Sequence, residues 1–564
     1  MSLVLILTLV PSQVVIAQQS DSAPQQAAVK SANDDLPPLP MSPIEKAEKD
    51  GTALNISLKE ITKMALQNNL DIAIQDTNEQ LSQQKIFQAF GDYDPKLTGQ
   101  LGVQSQKSAN QSTYQYSTSN FNKNDTATWN FTFSQTVKTG GTIQANWNSN
   151  RTASNSTSSL FNPRYGATAS VQFTQPLWRN FKIDQTRKNI KMVNLDLKTS
   201  DSQFKQKVTD TIANIQSKYW DLVSAIKDYD IKRDSVRLAQ ITLRDNKKKV
   251  QVGTLAPIEV TQAEFSLAQR ELSLLTSEQT ILSQENSLRQ LISNDRNAEI
   301  WSKVIVPTDS PEFVEYKIEL TEAIDMALKN RPELEQIDIR LQQSDLDLMM
   351  TRNNRKWQFN LTGQFGSTGT AGPQSYILDN ITGLPLLDKN GNKITAISPN
   401  LVGGLGNAYK TVFTEGFTNW QIAFQVEIPL RSRSLDAQLA QQEITKRQQI
   451  MNRRNQEQQI QVEIRNAVQQ LLTNRQQVKT AEVQKRLAQE QLDGEVKRFE
   501  AGLSENFRVL DQQNNLASAE NSYLVNLINY KKSIISLQKA MYTLLESNEF
   551  EIAKGTSNNV PNLK

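Results

Sequence analysis

The sequence predicts an α+β membrane protein in which a β-barrel is continued by a long α-helical coiled-coil barrel, with two structural repeats in each chain. Three observations carry this. From Asn180 onward roughly 70 residues pass without Pro or Gly, the chain breaks at Gly253-Thr254-Leu255-Ala256-Pro257, and a second such run follows for about 35 more. Short segments of alternating apolar and polar residues precede the long run. The whole pattern then occurs a second time.

The long run reads as a helix because Phe204, Val208, Ile212, Ile215, Tyr219, Leu222, Ile226 and Tyr229 step by threes and fours, and Val236, Leu243 and Val250 by sevens. At 1.5 Å per residue, roughly 70 residues make a rod of about 100 Å. The returning helix covers only half of it, so the rest of the stripe needs helices from elsewhere in the chain or from copies of it.

In the alternating segments Trp129, Phe131 and Phe133 are interleaved with Asn130, Thr132 and Ser134, and Ala169, Val171 and Phe173 with Ser170, Gln172 and Thr174. The second unit repeats this with Trp357, Phe359, Leu361 and Phe365, then with Trp420, Ile422, Phe424, Val426 and Ile428. Segments of about ten residues, apolar on one side and Gln, Asn or Thr on the other, suit a membrane barrel with a wet lumen. The competing reading is a half-buried antiparallel sheet on a soluble core. No run of 18 apolar residues occurs, so membrane insertion has to use strands.

The repeat is explicit. Ile56, Leu58, Glu60, Met64, Ala65, Leu66 and Asn68 return 262 positions later as Ile318, Leu320, Glu322, Met326, Ala327, Leu328 and Asn330. Ile215, Leu222, Leu243, Gly253, Val260, Ala268 and Leu288 return after 249 as Ile464, Leu471, Leu492, Gly502, Val509, Ala517 and Leu537. The expected organisation is a secretory signal over 1–17, an extended linker over 18–55, repeat 1 over 56–293, a linker over 294–317, repeat 2 over 318–547 and a tail over 548–564. The signal rests on the apolar run Leu3 to Ala17 with Val15-Ile16-Ala17 at its end, although the first basic residue is Lys30.

Repeat 1 is expected to hold four strands, about 96–106, 127–137, 142–149 and 166–176, the middle two joined by a hairpin turn at Lys138-Thr139-Gly140-Gly141. Repeat 2 is expected to hold two, about 357–366 and 418–428, with a long polar loop between them. In that loop Asp388-Lys389-Asn390-Gly391-Asn392 lacks the distal Glu of a calcium loop and reads as an Asn-Gly turn.

Composition limits the chemistry. His and Cys are both absent, which removes thiolate nucleophiles, disulfides, a His base and the commonest zinc ligands. No phosphate-binding Gly-rich loop ending in Lys-Ser/Thr occurs, so the chain supplies no energy from nucleotide hydrolysis. The net charge of +3 on 564 residues gives no reason to expect nucleic acid. No cofactor and no metal are expected, and nothing suggests an enzyme.

With these residues in view, the chain resembles the TolC-like outer membrane factors of bacterial efflux pumps and protein-secretion machines, over about Ile56 to Leu545. The likeness rests on the duplication, on the strand-to-helix junctions Pro176-Leu177 and Pro429-Leu430, and on two turns, Val252-Gly253-Thr254-Leu255 and Ala501-Gly502-Leu503-Ser504. It implies a homotrimer sharing one barrel in outer-membrane lipid, and a periplasmic tunnel. The turns would dock a periplasmic adaptor (membrane fusion) protein serving an inner-membrane pump of RND or ABC type. Too few strands and helices per protomer support an oligomer independently. The family closes its tunnel with acids shortly after the second turn. Asp511 matches one, but Arg508 stands where another is implied, and an Arg508 to Asp511 contact would neutralise the ring. Glu259 matches the acid that latches the first turn to a basic partner, and Ser504 occupies that partner's place. Gly253 and Gly502 suit helix ends that need φ > 0. The function expected is an exit duct without chemistry of its own, opened by the adaptor and driven by the pump. The alternative is a structural coiled-coil or envelope-tethering protein.

Overall fold

The structure, a computed structural model of the chain, describes residues 36–109, 121–156, 159–377 and 384–548. The expected signal and nearly all of the expected tail lie outside them. After α1 (Pro43–Asp50) and β1 (Ala53–Ile56), repeat 1 comprises α2 (Leu58–Asn68), α3 (Leu70–Phe90), β2 (Lys96–Ala109), β3 (Phe121–Thr136), β4 (Thr142–Ser154), β5 (Arg164–Pro176), α4 (Gln185–Gln251) and α5 (Ile258–Ile292). After β6 (Val304–Pro307), repeat 2 comprises α6 (Leu320–Asn330), α7 (Pro332–Asn354), β7 (Gln358–Ala371), α8 (Leu405–Thr414), β8 (Thr418–Glu427), α9 (Arg433–Glu500), α10 (Asn506–Met541) and α11 (Leu544–Ser547).

The two expected linkers are not plain connectors. Within 18–55, Ser42 caps α1 in a reciprocal box with Glu45, and just past it Ser57 caps α2 in the same way with Glu60. Ile56, the first residue of the expected repeat 1, ends β1, which pairs in parallel with β6 inside the expected 294–317 linker. Four-residue strands are too short for their alternation to register as a pattern. Asp309, just past β6, pins this two-stranded sheet to the rod: its Oδ2 accepts from the buried Tyr219 hydroxyl at 2.6 Å and from the Leu58 amide at 2.7 Å. Asp309→Ala leaves the Leu58 amide without its acceptor and the Tyr219 hydroxyl with only its 3.3 Å bond to the Ile56 carbonyl, and is expected to cost about 1–3 kcal/mol, read as earlier thermal unfolding by circular dichroism. Glu285 fastens α5 to the same sheet, accepting from the Ile305 amide at 2.7 Å and from Arg289 at 2.6 Å. Burial pushes its carboxyl up from the ordinary range.

One antiparallel sheet runs in the order β2-β3-β4-β5-β7-β8. Its register aligns Leu97, Phe133, Ala145, Val171, Phe365 and Trp420 across one face. The next residues along, Thr98, Thr132, Asn146, Ser170, Gly366 and Asn419, align across the other. One face is therefore apolar and the other polar over the whole width, as a membrane wall with a wet inner side requires. Leu97 and Trp420, at opposite edges of the apolar face, are each 75% exposed in the single chain.

β3 begins at Phe121 rather than near 127, and β7 runs on to Ala371, so both continue into stretches expected to be loops. A further element of the 367–415 stretch is α8, which the polar composition around it concealed. It lies on the apolar face, on a patch of small residues: Ala167, Ala371, Ala408 and Val412 form a cluster against Trp147, Tyr165 and Tyr409. Trp129 Nε1 donates to the Tyr409 hydroxyl at 2.7 Å, and Phe413 stacks on Trp147. In the same stretch Asp388 Oδ1 accepts from the amides of Asn390 and Asn392, closing a turn with Gly391 at φ 82°.

The rods follow from the stripes. α4 has 67 residues and α9 has 68, about 100 Å each at 1.5 Å per residue. α5 and α10 return along their far halves, α2 and α3 cover the near half of α4, and α6 and α7 that of α9. α10 also packs on α4, which joins the repeats. Phe204, Val208, Ile212, Ile215, Tyr219 and Leu222 are all buried in one core, and Ile460, Ile464, Val468 and Leu471 in its counterpart. Among the described residues no helix is long and apolar enough to cross a membrane.

Candidate functional site

Two places are set apart by geometry: the corner where sheet becomes rod, and the far ends of the rods. At the corner Pro176 ends β5 and the Leu177 amide donates to the Phe359 carbonyl at 2.8 Å. Trp178 stacks on Phe359, which stacks on Phe424, with Trp357 alongside. The two Trp rings are amphipathic, the kind that lines the boundary between membrane and water. The chain turns at Asn180, which adopts φ 65°. Arg187 secures the turn by donating to the Asn180 and Phe181 carbonyls, each at 2.7 Å, and to Asp184 at 3.0 Å. That helix therefore starts at Gln185, five residues after Asn180. The second corner is barer: Pro429 follows β8 by two residues and Leu430 is 98% exposed.

The far ends are tight turns of one design. Gly253 and Gly502 adopt φ 76° and 71°, a region that L side chains rarely occupy. The Thr254 amide donates to the Lys249 carbonyl at 2.9 Å and the Leu503 amide to the Arg498 carbonyl at 2.8 Å, so each turn satisfies the last carbonyls of its rod. Pro257 and Glu505 then precede α5 and α10. The tips present apolar residues outward: Val252 is 74% exposed and Leu503 80%, flanked by Ile258 and Phe507. Leu255, Thr254, Ala501 and Ser504 complete the two turns, and the Ser504 hydroxyl donates to Glu495 within its own hairpin.

The hairpins are joined just above the tips. Glu259 Oε2 accepts from Asn506 Nδ2 at 3.3 Å, and Lys249 Nζ lies 4.0 Å from the centre of the Phe499 ring. The basic partner implied for Glu259 is thus replaced by an amide four residues after Gly502. Deeper in the wall Arg270, buried on α5, donates to the Ser235 carbonyl at 2.9 Å, to Asn514 at 2.9 Å and to Gln513 at 3.3 Å. It crosses from the first hairpin to α10 with no carboxylate among those partners, and burial lowers its pKa. Arg508 and Asp511 are exposed. They form no ion pair with each other: Asp511 accepts from Asn515 instead, and Arg508 has no salt bridge among the described residues. Asn506, Lys249, Phe499 and Arg270 escaped notice in the sequence because each bridges the two repeats, and spacing along the chain does not report contacts between hairpins.

A sheet with a lipid face and a wet face, girdled by aromatics and continued by paired rods, defines a channel of the bacterial outer membrane with a periplasmic helical tunnel. The family model described as outer membrane efflux protein matches residues 61–294 and 323–541, and the chain belongs to that family. No curated protein sequence matches the chain.

Among solved structures, the CmeC outer membrane channel of Campylobacter jejuni is similar over 89% of this chain and 87% of its own, at 17% identity and a TM-score of 0.58. The outer membrane protein VceC of Vibrio cholerae is similar over 86% and 95%, at 14% identity and a TM-score of 0.58. The open state of the MtrE outer membrane channel of Neisseria gonorrhoeae is similar over 86% and 89%, at 13% identity and a TM-score of 0.55. At these identities the likeness speaks for the fold.

Proposed function

We propose that the chain is the outer-membrane exit duct of a tripartite efflux pump or type I secretion system. Three copies close the barrel and the tunnel, a periplasmic adaptor docks on the tips, and an inner-membrane pump of RND or ABC type drives transport. The observation that carries this reading is the pairing of two exposed apolar tips at the ends of rods that issue from a sheet with a polar inner face. Opening consists of the tips parting when the adaptor binds. Glu259, Asn506, Lys249 and Phe499 hold them together, while Arg508 and Asp511 stand close by on the first turns of α10.

Heat-resistant oligomers on unboiled gels together with single-channel currents in planar bilayers are the expected results, and absence of both sinks the reading in favour of a structural tether. The docking role has its own test. Val252→Asp with Leu503→Asp places charge on both apolar tips, and is expected to reduce, by at least about tenfold, capture of a periplasmic adaptor protein that the wild-type chain binds, on the order of the 1.4 kcal/mol that one decade of affinity represents. Bilayer currents should be unchanged, because neither side chain touches the contacts between hairpins. Undiminished capture would move the docking surface elsewhere.

A further inference from the structure

The hairpin β3-β4 is built into the middle of the six-stranded sheet. β3 pairs with β2 over 14 residues and with β4 over 13, and β4 pairs with β5 over 11, without interruption. The apolar face continues across them through Phe131, Phe133 and Trp147, and the polar face through Asn130, Thr132 and Asn146. A hairpin outside the wall would have no use for that two-sided pattern in register with its neighbours.

Its turn is also seated on the rim. Gly140 has φ 84°, and a Cβ there would meet the Asn180 carbonyl at 2.7 Å and Asp184 and Arg187 at 2.9 Å. Thr139 donates to Gln175 at 2.8 Å, so the turn meets the corner at which β5 becomes α4.

We infer that three chains close an eighteen-stranded barrel, six consecutive strands from each, with β2 of one protomer meeting β8 of the next. This rests on the trimeric duct proposed above. With strands about 4.8 Å apart and tilted by about 40°, eighteen strands close at a backbone diameter of about 36 Å, against about 24 Å for twelve. Barrels of 16–18 strands enclose a water-filled bore, whereas small ones fill with their own side chains. The membrane section is then wide enough for bulky hydrated solutes, and the limit on what passes lies at the periplasmic tips.

An electron cryomicroscopy map of the full-length protein in lipid nanodiscs tests this, since it shows copies and strands separately. Eighteen strands in three copies is the expected result. Three copies with twelve strands, and residues 121–154 outside the wall, would overturn the inference while leaving the duct intact; a number of copies other than three would instead sink the duct reading. Because the chain has no cysteine, single thiols give a second readout. A fluorophore on Phe131→Cys should be quenched by brominated lipid, and Thr132→Cys should react with a membrane-impermeant thiol reagent. If lipid quenches neither and the aqueous reagent reaches both, the hairpin is not in the wall.

Discussion

Glu259→Ala combined with Lys249→Ala is expected to raise the time-averaged current through planar bilayers severalfold while leaving the heat-resistant oligomer intact. Both side chains cross from the first hairpin to the second, one to Asn506 and one to the Phe499 ring. A net hydrogen bond contributes about 1 kcal/mol and an exposed cation–π contact about 0.5–1 kcal/mol. Their joint loss, roughly 1–2 kcal/mol, changes the ratio of parted to closed tips by a factor of about 5–30. Oligomer stability should not follow, because the rods stay buried along α4, α9 and α10 well above the tips. Lys247→Ala is the matched control, since Lys247 pairs at 2.9 Å with Glu264 inside the first hairpin. Equal currents in the double variant and in the control would show that the Glu259 and Lys249 contacts do not hold the tips closed.

The parts legible in the sequence are those that repeat at a short period. A stripe such as Phe204 to Leu222 is visible because every third or fourth residue must be buried, and Trp420 to Val426 because every second residue must face lipid. Gly253 and Gly502 are legible for the related reason that a helix end needs left-handed backbone there. Contacts between elements far apart in sequence leave no such mark. β1 and β6 are four residues each and find one another across about 250 positions, so neither shows a pattern by itself. α8 is hidden by its polar surroundings, and the residues that betray it lie on β5 and β7: Ala167, Gly369 and Ala371 are small where a lipid-facing strand would otherwise carry larger side chains. The site divides in the same way. The turns were readable, but the bonds that hold them together, Glu259 to Asn506 and Arg270 to Asn514, arise only once the two hairpins lie side by side.

Two glycines on one strand separate packing from strand propensity. Gly363 and Gly369 both belong to β7 and face the apolar side, yet a Cβ on Gly363 meets nothing within 4 Å, whereas one on Gly369 would lie 2.0 Å from the Ala408 carbonyl and 2.8 Å from Val412. The obstacle at 369 includes the backbone of α8, which cannot rotate aside as a side chain can. Ser367 fixes that backbone further by donating to the Val412 carbonyl. Gly369→Val therefore has to lift α8 from the sheet, separating Tyr409 from Trp129 and Phe413 from Trp147. A cost of about 1–3 kcal/mol per protomer is expected from overpacking alone, read as a lower dissociation temperature of the oligomer on unboiled gels and as new protease cleavage near 404–417. Gly363→Val is expected to leave both unchanged or to raise the dissociation temperature slightly, because a β-branched side chain suits a lipid-facing strand. Equal behaviour of the two variants would mean that α8 does not rest on the wall in the membrane.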